Sequence, residues 1–191
     1  MRCAVFLANG FEDCEGLITI DMLRRAGIPV DSVSISDDPL VETSHSVKLY
    51  ADKIWKEIDP SEYDVLILPG GKAGTMNLDS FEPLKQALSA HFEAGKLTCA
   101  ICAAPSVLGH LGILRGKHYT SFPDFASDSY GGVYETELAV EDGNVITGRG
   151  MGATIEFARL IIRRLTDDAV MRRLEYGMQY EHSFRTLSKP E

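Results

Sequence analysis

No apolar run in this chain approaches the roughly 20 residues that a bilayer-spanning helix needs, which argues against a membrane protein. Basic residues are also short: 19 Lys and Arg stand against 28 Asp and Glu, for a net charge of -9. Phosphate backbones are bound by clustered cations, so nucleic acid is not an expected partner. The basic pairs Arg24-Arg25, Arg163-Arg164 and Arg172-Arg173 fall in predicted helices, where solvated faces account for them. A secretory leader is not expected either, because the opening apolar stretch through Leu7 is short and Asn9-Gly10 interrupts it. Only four cysteines occur, without the spacing of a disulfide framework, which fits free thiols in a reducing, cytoplasmic setting. The five histidines are scattered with no metal-ligand spacing, so neither a metal nor another cofactor is expected. There is no repeat, low-complexity tract or linker to divide the chain. It reads as one domain over residues 1–191, with a polar, loosely packed tail after Tyr180.

What is present alternates between strand and helix, the pattern of an α/β sandwich with a mostly parallel sheet and helices on both faces. Strands are predicted over Cys3 to Leu7, Val30 to Ile35, Val65 to Leu68, and from Thr98 into Cys102. Later strands follow at Leu138 to Val140 and Val145 to Thr147, and Val47 to Tyr50 suits a hairpin or edge piece. Helices are predicted over Glu15 to Ala26, closed by a left-handed Gly27, and over Phe81 to Ala94, Thr154 to Leu165 and Asp168 to Tyr176. In such a sheet ligands gather beyond the carboxyl ends of the strands. Asn9 to Glu15, Pro69-Gly70-Gly71, Cys102 and Gly148-Arg149-Gly150 all follow strands and should converge there.

The segment Thr98-Cys99-Ala100-Ile101-Cys102-Ala103-Ala104-Pro105 carries the chemistry. A buried strand runs into Cys102, and a helix follows with Val107, Leu108, Leu111 and Leu114 at helical spacing. A thiol at such a bend faces the positive end of the helix, which favours the thiolate and marks Cys102 as the nucleophile. Gly70 and Gly71 let backbone approach a ligand closely. The Gly71 and Ala103 N–H groups are the predicted oxyanion donors. Glu15 leads an apolar helix face with Leu17, Ile18 and Met22, so its carboxyl should point inward with a raised pKa and serve as proton carrier. Cys99 is three positions from Cys102 and, on a regular strand, would face the opposite side as a packed core thiol. Cys3 reads the same way, and Cys14 is a bystander beside Glu15. Gly148-Arg149-Gly150-Met151-Gly152-Ala153 formally matches a dinucleotide fingerprint, but the acidic strand end that would bind ribose is missing. Its glycines are assigned to close packing and Arg149 to a structural or site-facing charge.

These residues resemble the ThiJ/PfpI superfamily, in the branch of the parkinsonism-associated protein deglycase and its bacterial relatives. The markers are Phe11-Glu12-Asp13-Cys14-Glu15, Asp21 through Gly27, Tyr63-Asp64-Val65 through Gly71, Ala100 through Pro105, and Arg149-Gly150 with Glu156-Phe157-Ala158. The resemblance implies a flavodoxin-like sandwich, a homodimer, and glyoxalase, deglycase, chaperone or oxidative-stress roles without a cofactor. It matches Cys102 to the nucleophile, Glu15 to its carboxyl partner, and Gly71 and Ala103 to the backbone donors. One departure stands out. Relatives with a histidine near the site place it before a proline, whereas this chain has Ser121-Phe122-Pro123. His118 and His45 are the auxiliary candidates for the lost proton carrier, and Arg25 and Arg149 are auxiliary candidates from the matching motifs. Two readings stay open: an enzyme acting on small reactive carbonyls or their adducts, and a redox-responsive sensor or chaperone whose Cys102 oxidises to sulfinate. Amide hydrolysis fits less well, because it usually calls for a Cys-His pair.

Overall fold

Residues 1–180 are described by the computed structural model, and the tail beyond them, with His182, lies outside the described residues. The chain opens with β1 (Cys3–Leu7), α1 (Asp13–Arg25) and β2 (Val30–Ser34), then a hairpin of β3 (Leu40–Glu42) and β4 (Lys48–Tyr50), and the short β5 (Lys53–Ile54). Next come β6 (Val65–Leu68), α2 (Lys72–Ser80), α3 (Glu82–Glu93), β7 (Leu97–Ile101) and α4 (Pro105–His110). The last part contributes β8 (His118–Tyr119), β9 (Val133–Tyr134), β10 (Ala139–Asp142), β11 (Val145–Gly148), α5 (Thr154–Leu165) and α6 (Asp168–Met178).

Seven strands form one sheet in the order β10-β11-β7-β6-β1-β2-β5, all parallel except the edge strand β10. The inner strands β1, β6 and β7 are wholly buried, as continuous apolar runs covered on both faces must be. One face packs against Met22 and Leu23 of α1, Phe157 and Ile161 of α5, and Leu174 of α6. The other packs against Leu78 of α2, Leu84 and Leu88 of α3, and Val107 and Leu108 of α4. This is the flavodoxin-like sandwich. Chain order reverses between β1 and β6, so the crevice at the carboxyl ends of β1, β6 and β7 is where such a sheet binds ligands.

Several elements differ from the sequence reading. Helix α2 was not foreseen, because Gly71 and Gly74 dilute its helical signal. Helix α4 stops at His110, so Leu114 is buried from a turn and not from a continuing helix. On α1 the inward face is Glu15, Thr19, Met22 and Leu23, spaced four and three apart, while Leu17 is 39% exposed.

Candidate active site

Strand β7 ends at Ile101, and Cys102 takes φ +66°, a left-handed conformation unusual for a residue with a side chain. Its peptide is clamped on both sides: Cys102 N–H donates to the Gly148 carbonyl at 2.9 Å, and Phe122 N–H donates to the Cys102 carbonyl at 2.8 Å. The bend also corrects the expected side-chain alternation. Cys99 is fully buried, but Cys102 packs against the same core cluster, because the left-handed residue breaks the two-residue period of the strand. Cys3 and Cys99 are core thiols whose pKa values burial drives upward, Cys3 to about 12.

Helix α1 brings Glu15 to the same place with only 1% of its surface exposed. One carboxyl oxygen, Oε2, accepts the Gly70 N–H at 2.8 Å. The other, Oε1, has no well-directed hydrogen bond among the described residues, and the neighbouring Cys102 thiol is the group able to supply one. Burial raises the Glu15 pKa to about 7. The thiol and the Gly70 N–H pull it down by less than burial pushes it up. Gly70 is the spacer between the two groups: a methyl placed there would lie 2.6 Å from Cys102 Cβ and 2.7 Å from Glu15 Oε2. Its N–H is committed to Glu15, which leaves Gly71 and Ala103 as the candidate donor pair.

Gly71 and Ala103 direct their N–H groups at the Cys102 sulfur, so both lower its pKa. Gly71 adopts φ +84° to do so, with Gly10 and Glu12 backbone so close that no side chain would fit. Burial and the Glu15 carboxylate act the other way and push the thiol up to about 12, against the thiolate that the bend was expected to favour. The following helix has only six residues, too short to outweigh the loss of water around a negative sulfur.

The auxiliary candidates do not gather at the sulfur. His118 donates its backbone N–H to Asp142 Oδ2 at 2.8 Å, and its ring meets Glu135 at 2.6 Å. Asp142 lies at the opposite end of the β10–β11 pair from Gly148, so a strand length separates His118 from Cys102. Arg25 sits at the far end of α1 from Glu15 and pairs with Asp21 at 2.6 Å. His45 is an exposed residue of the β3–β4 turn, its Nδ1 bound to Asp13 at 2.9 Å. That hydrogen bond raises the His45 pKa. Burial raises Asp13, but hydrogen bonds from Thr43, His45, its own backbone and Ser44 outweigh it and hold Asp13 at about 2. Glu12, Asp13 and His45 place ligand-type atoms within 4.8 Å of one another, a grouping that only the hairpin creates. Hydrogen bonding within the group accounts for it without a cation. Phe122 and Arg149, by contrast, both line one groove, and the segments that carry them are hydrogen-bonded or adjacent to residues hydrogen-bonded to the Cys102 backbone. The cavity of about 350 Å³ at Trp55, Pro83 and Lys96 lies by the amino ends of β6 and β7, at the other end of the sheet.

The sandwich and its switch-point crevice, with a cysteine on a left-handed bend and a buried carboxyl beside it, define an α/β protein built around one elbow thiol. Residues 1–164 match the DJ-1/PfpI family, and the chain belongs to it. Among relatives, it is 35% identical over 161 residues to "Protein DJ-1 homolog B" of Arabidopsis thaliana, covering 83% of this chain and 37% of that longer protein. It is 29% identical over 170 residues to a deglycase of Pyrococcus abyssi, covering 86% of this chain and 99% of that one. Among solved structures, a mutant of a DJ-1 superfamily protein from Salmonella typhimurium superposes with a TM-score of 0.89 at 36% identity. That match covers 94% of this chain and 98% of the other. No helix among the described residues is long and apolar enough to cross a membrane.

Proposed function

We propose that this protein converts small reactive 2-oxoaldehydes, free or as adducts on amines and thiols, by a cofactor-independent glyoxalase- or deglycase-like reaction on Cys102. The observation that carries this reading is a partly buried thiol facing two backbone N–H groups, beside a carboxyl whose pKa of about 7 matches the working pH. The Glu15 carboxylate takes the thiol proton as sulfur attacks the aldehyde carbon, giving a hemithioacetal whose oxygen Gly71 and Ala103 N–H would hold. Glu15 then moves a proton from the former aldehyde carbon to the adjacent ketone carbon, leaving a thioester of a 2-hydroxy acid. Water cleaves the thioester, returns the thiol and releases the acid. Methylglyoxal plus water thus becomes lactate, with no net oxidation. The four free cysteines suit a reducing cytoplasmic setting, and family membership supports a homodimer, which sedimentation should report as twice the chain mass.

Lactate production from methylglyoxal tests the reading. Wild type should form it, with a rate that climbs as pH rises through about 7 because Glu15 acts as the anion. Cys102→Ala and Glu15→Gln should each lose at least about 10²-fold, the usual contribution of a positioned proton carrier. Equal rates in all three proteins would end it.

A second reading is favoured by Phe122, an apolar side chain before Pro123 at a position where it can carry no proton. Here Cys102 is a redox sensor. Two peroxide molecules oxidise the sulfur through sulfenic to sulfinic acid, each leaving as water, and the Gly71 and Ala103 N–H groups hold the new oxygens. Peptide mass spectrometry after mild peroxide should then find two added oxygens on Cys102 ahead of Cys3, Cys14 and Cys99. Even labelling of all four would reject this role.

A further inference from the structure

A groove of about 530 Å³ is walled by Phe122, Leu138, Arg149, Gly150 and Met151 among others; Cys102 itself does not line it. Both segments that build it are tied to the backbone of Cys102: Phe122 through its N–H to the Cys102 carbonyl, and Arg149–Met151 through Gly148, which accepts the Cys102 N–H. Three of its walls are large apolar side chains left open to water, Phe122 at 44%, Leu138 at 38% and Met151 at 53% exposure. Apolar surface grouped in this way marks a binding face, and the volume falls in the range of small-molecule sites. Methylglyoxal would leave most of it empty.

We infer that this groove is the side-group pocket of the proposed site and selects 2-oxoaldehydes with an aromatic substituent over methylglyoxal. The inference rests on the carbonyl reading above. Among the lining residues Arg149 is the one cation, with its guanidinium held by the Thr136 carbonyl at 2.8 Å. A guanidinium in an apolar groove attracts an aromatic face, which favours an aryl group over an alkyl one of equal size. Phe122 therefore gives shape and apolar contact in place of acid–base chemistry. Phenylglyoxal would bind with its ring between Phe122 and Met151 and its aldehyde carbon at the Cys102 sulfur. The bond changes are those of methylglyoxal turnover: phenylglyoxal plus water gives mandelate.

The experiment compares kcat/KM for mandelate from phenylglyoxal with that for lactate from methylglyoxal, in wild type, Phe122→Ala, Phe122→Tyr and Met151→Ser. Phe122 and Met151 are largely exposed, so these changes leave the core intact. Wild type should prefer phenylglyoxal by about tenfold or more, the scale that apolar pocket contacts supply. Phe122→Ala and Met151→Ser should each lower kcat/KM for phenylglyoxal several-fold more than that for methylglyoxal, and Phe122→Tyr should retain the wild-type ratio. Turnover of methylglyoxal without an aromatic preference, or a ratio that no variant moves, overturns the inference and leaves the carbonyl reading standing. Failure of wild type on both substrates removes both.

Discussion

At the scale of single residues, the chemistry turns on how Glu15 and Cys102 share protons. Both are taken out of water, and burial raises the pKa of each, so the pair resists carrying two negative charges. This has a cost to folding with a definite sign. A carboxyl whose pKa rises from 4.5 to about 7 binds more protons folded than unfolded between those values, so its contribution to stability falls as pH climbs through that window. The displacement corresponds to roughly 3 kcal/mol once Glu15 is ionised. Glu15→Gln keeps an acceptor for the Gly70 N–H and removes the charge. It should therefore melt several degrees higher than wild type at pH 8, and the gap should close at pH 5. Thermal unfolding followed by circular dichroism at the two pH values checks this, and a gap independent of pH would show that burial of the charge is not the cause.

At the scale of elements, the site is made by two strand-to-helix junctions set side by side. The β7–α4 junction lifts Cys102 out of the strand, and the β6–α2 junction supplies Gly70 and Gly71. Neither works without the other. Gly70 is where the two meet, and a Cβ there would collide with Cys102, Glu15 and the Ile101 carbonyl at 2.6, 2.7 and 2.8 Å. Gly70→Ala should destabilise the fold by about 1–3 kcal/mol, as overpacking in a tight core does. It should also change the rate at which iodoacetamide labels Cys102, because the sulfur is displaced from Gly71 N–H and Glu15. Urea unfolding and timed alkylation read the two effects separately, and a variant that matches wild type in both would show that the spacing has slack. Most of these elements were legible beforehand. The apolar runs of β1, β6 and β7 and the spacing of α5 each declare themselves within a few residues. Helix α2 did not, since Gly74 within it and Gly71 just before it obscure it and packing of Leu78 compensates.

For the whole molecule, strand order decides what meets what. Because β1, β6 and β7 are neighbours, segments far apart in the chain, ending at Leu7, Leu68 and Ile101, meet at one crevice. Helices α1 and α5 cover that part of the sheet, and Phe157 of α5, fully buried, packs near Gly148, the residue that anchors Cys102 N–H. Phe157→Ala should cost roughly 3–5 kcal/mol in urea unfolding, the range for emptying a buried aromatic site. A loss below about 1 kcal/mol would mean that this face of the sandwich collapses to fill the gap.

The amino-acid sequence on its own determined the layered class, the elbow at Cys102, the inward turn of Glu15 and the family, because each rests on local spacing that a few neighbouring residues enforce. Tertiary structure alone decided the rest. It made the Gly70 N–H the partner of Glu15, and it sent His118 to the far end of a strand pair. It bound His45 to Asp13 and set burial of the Cys102 thiol against the pull of a short helix. The physical reason is common to these cases. Which donor a carboxyl takes, how much water a sulfur loses and which charges face each other depend on groups distant in the chain, and those are fixed only when the sheet is assembled.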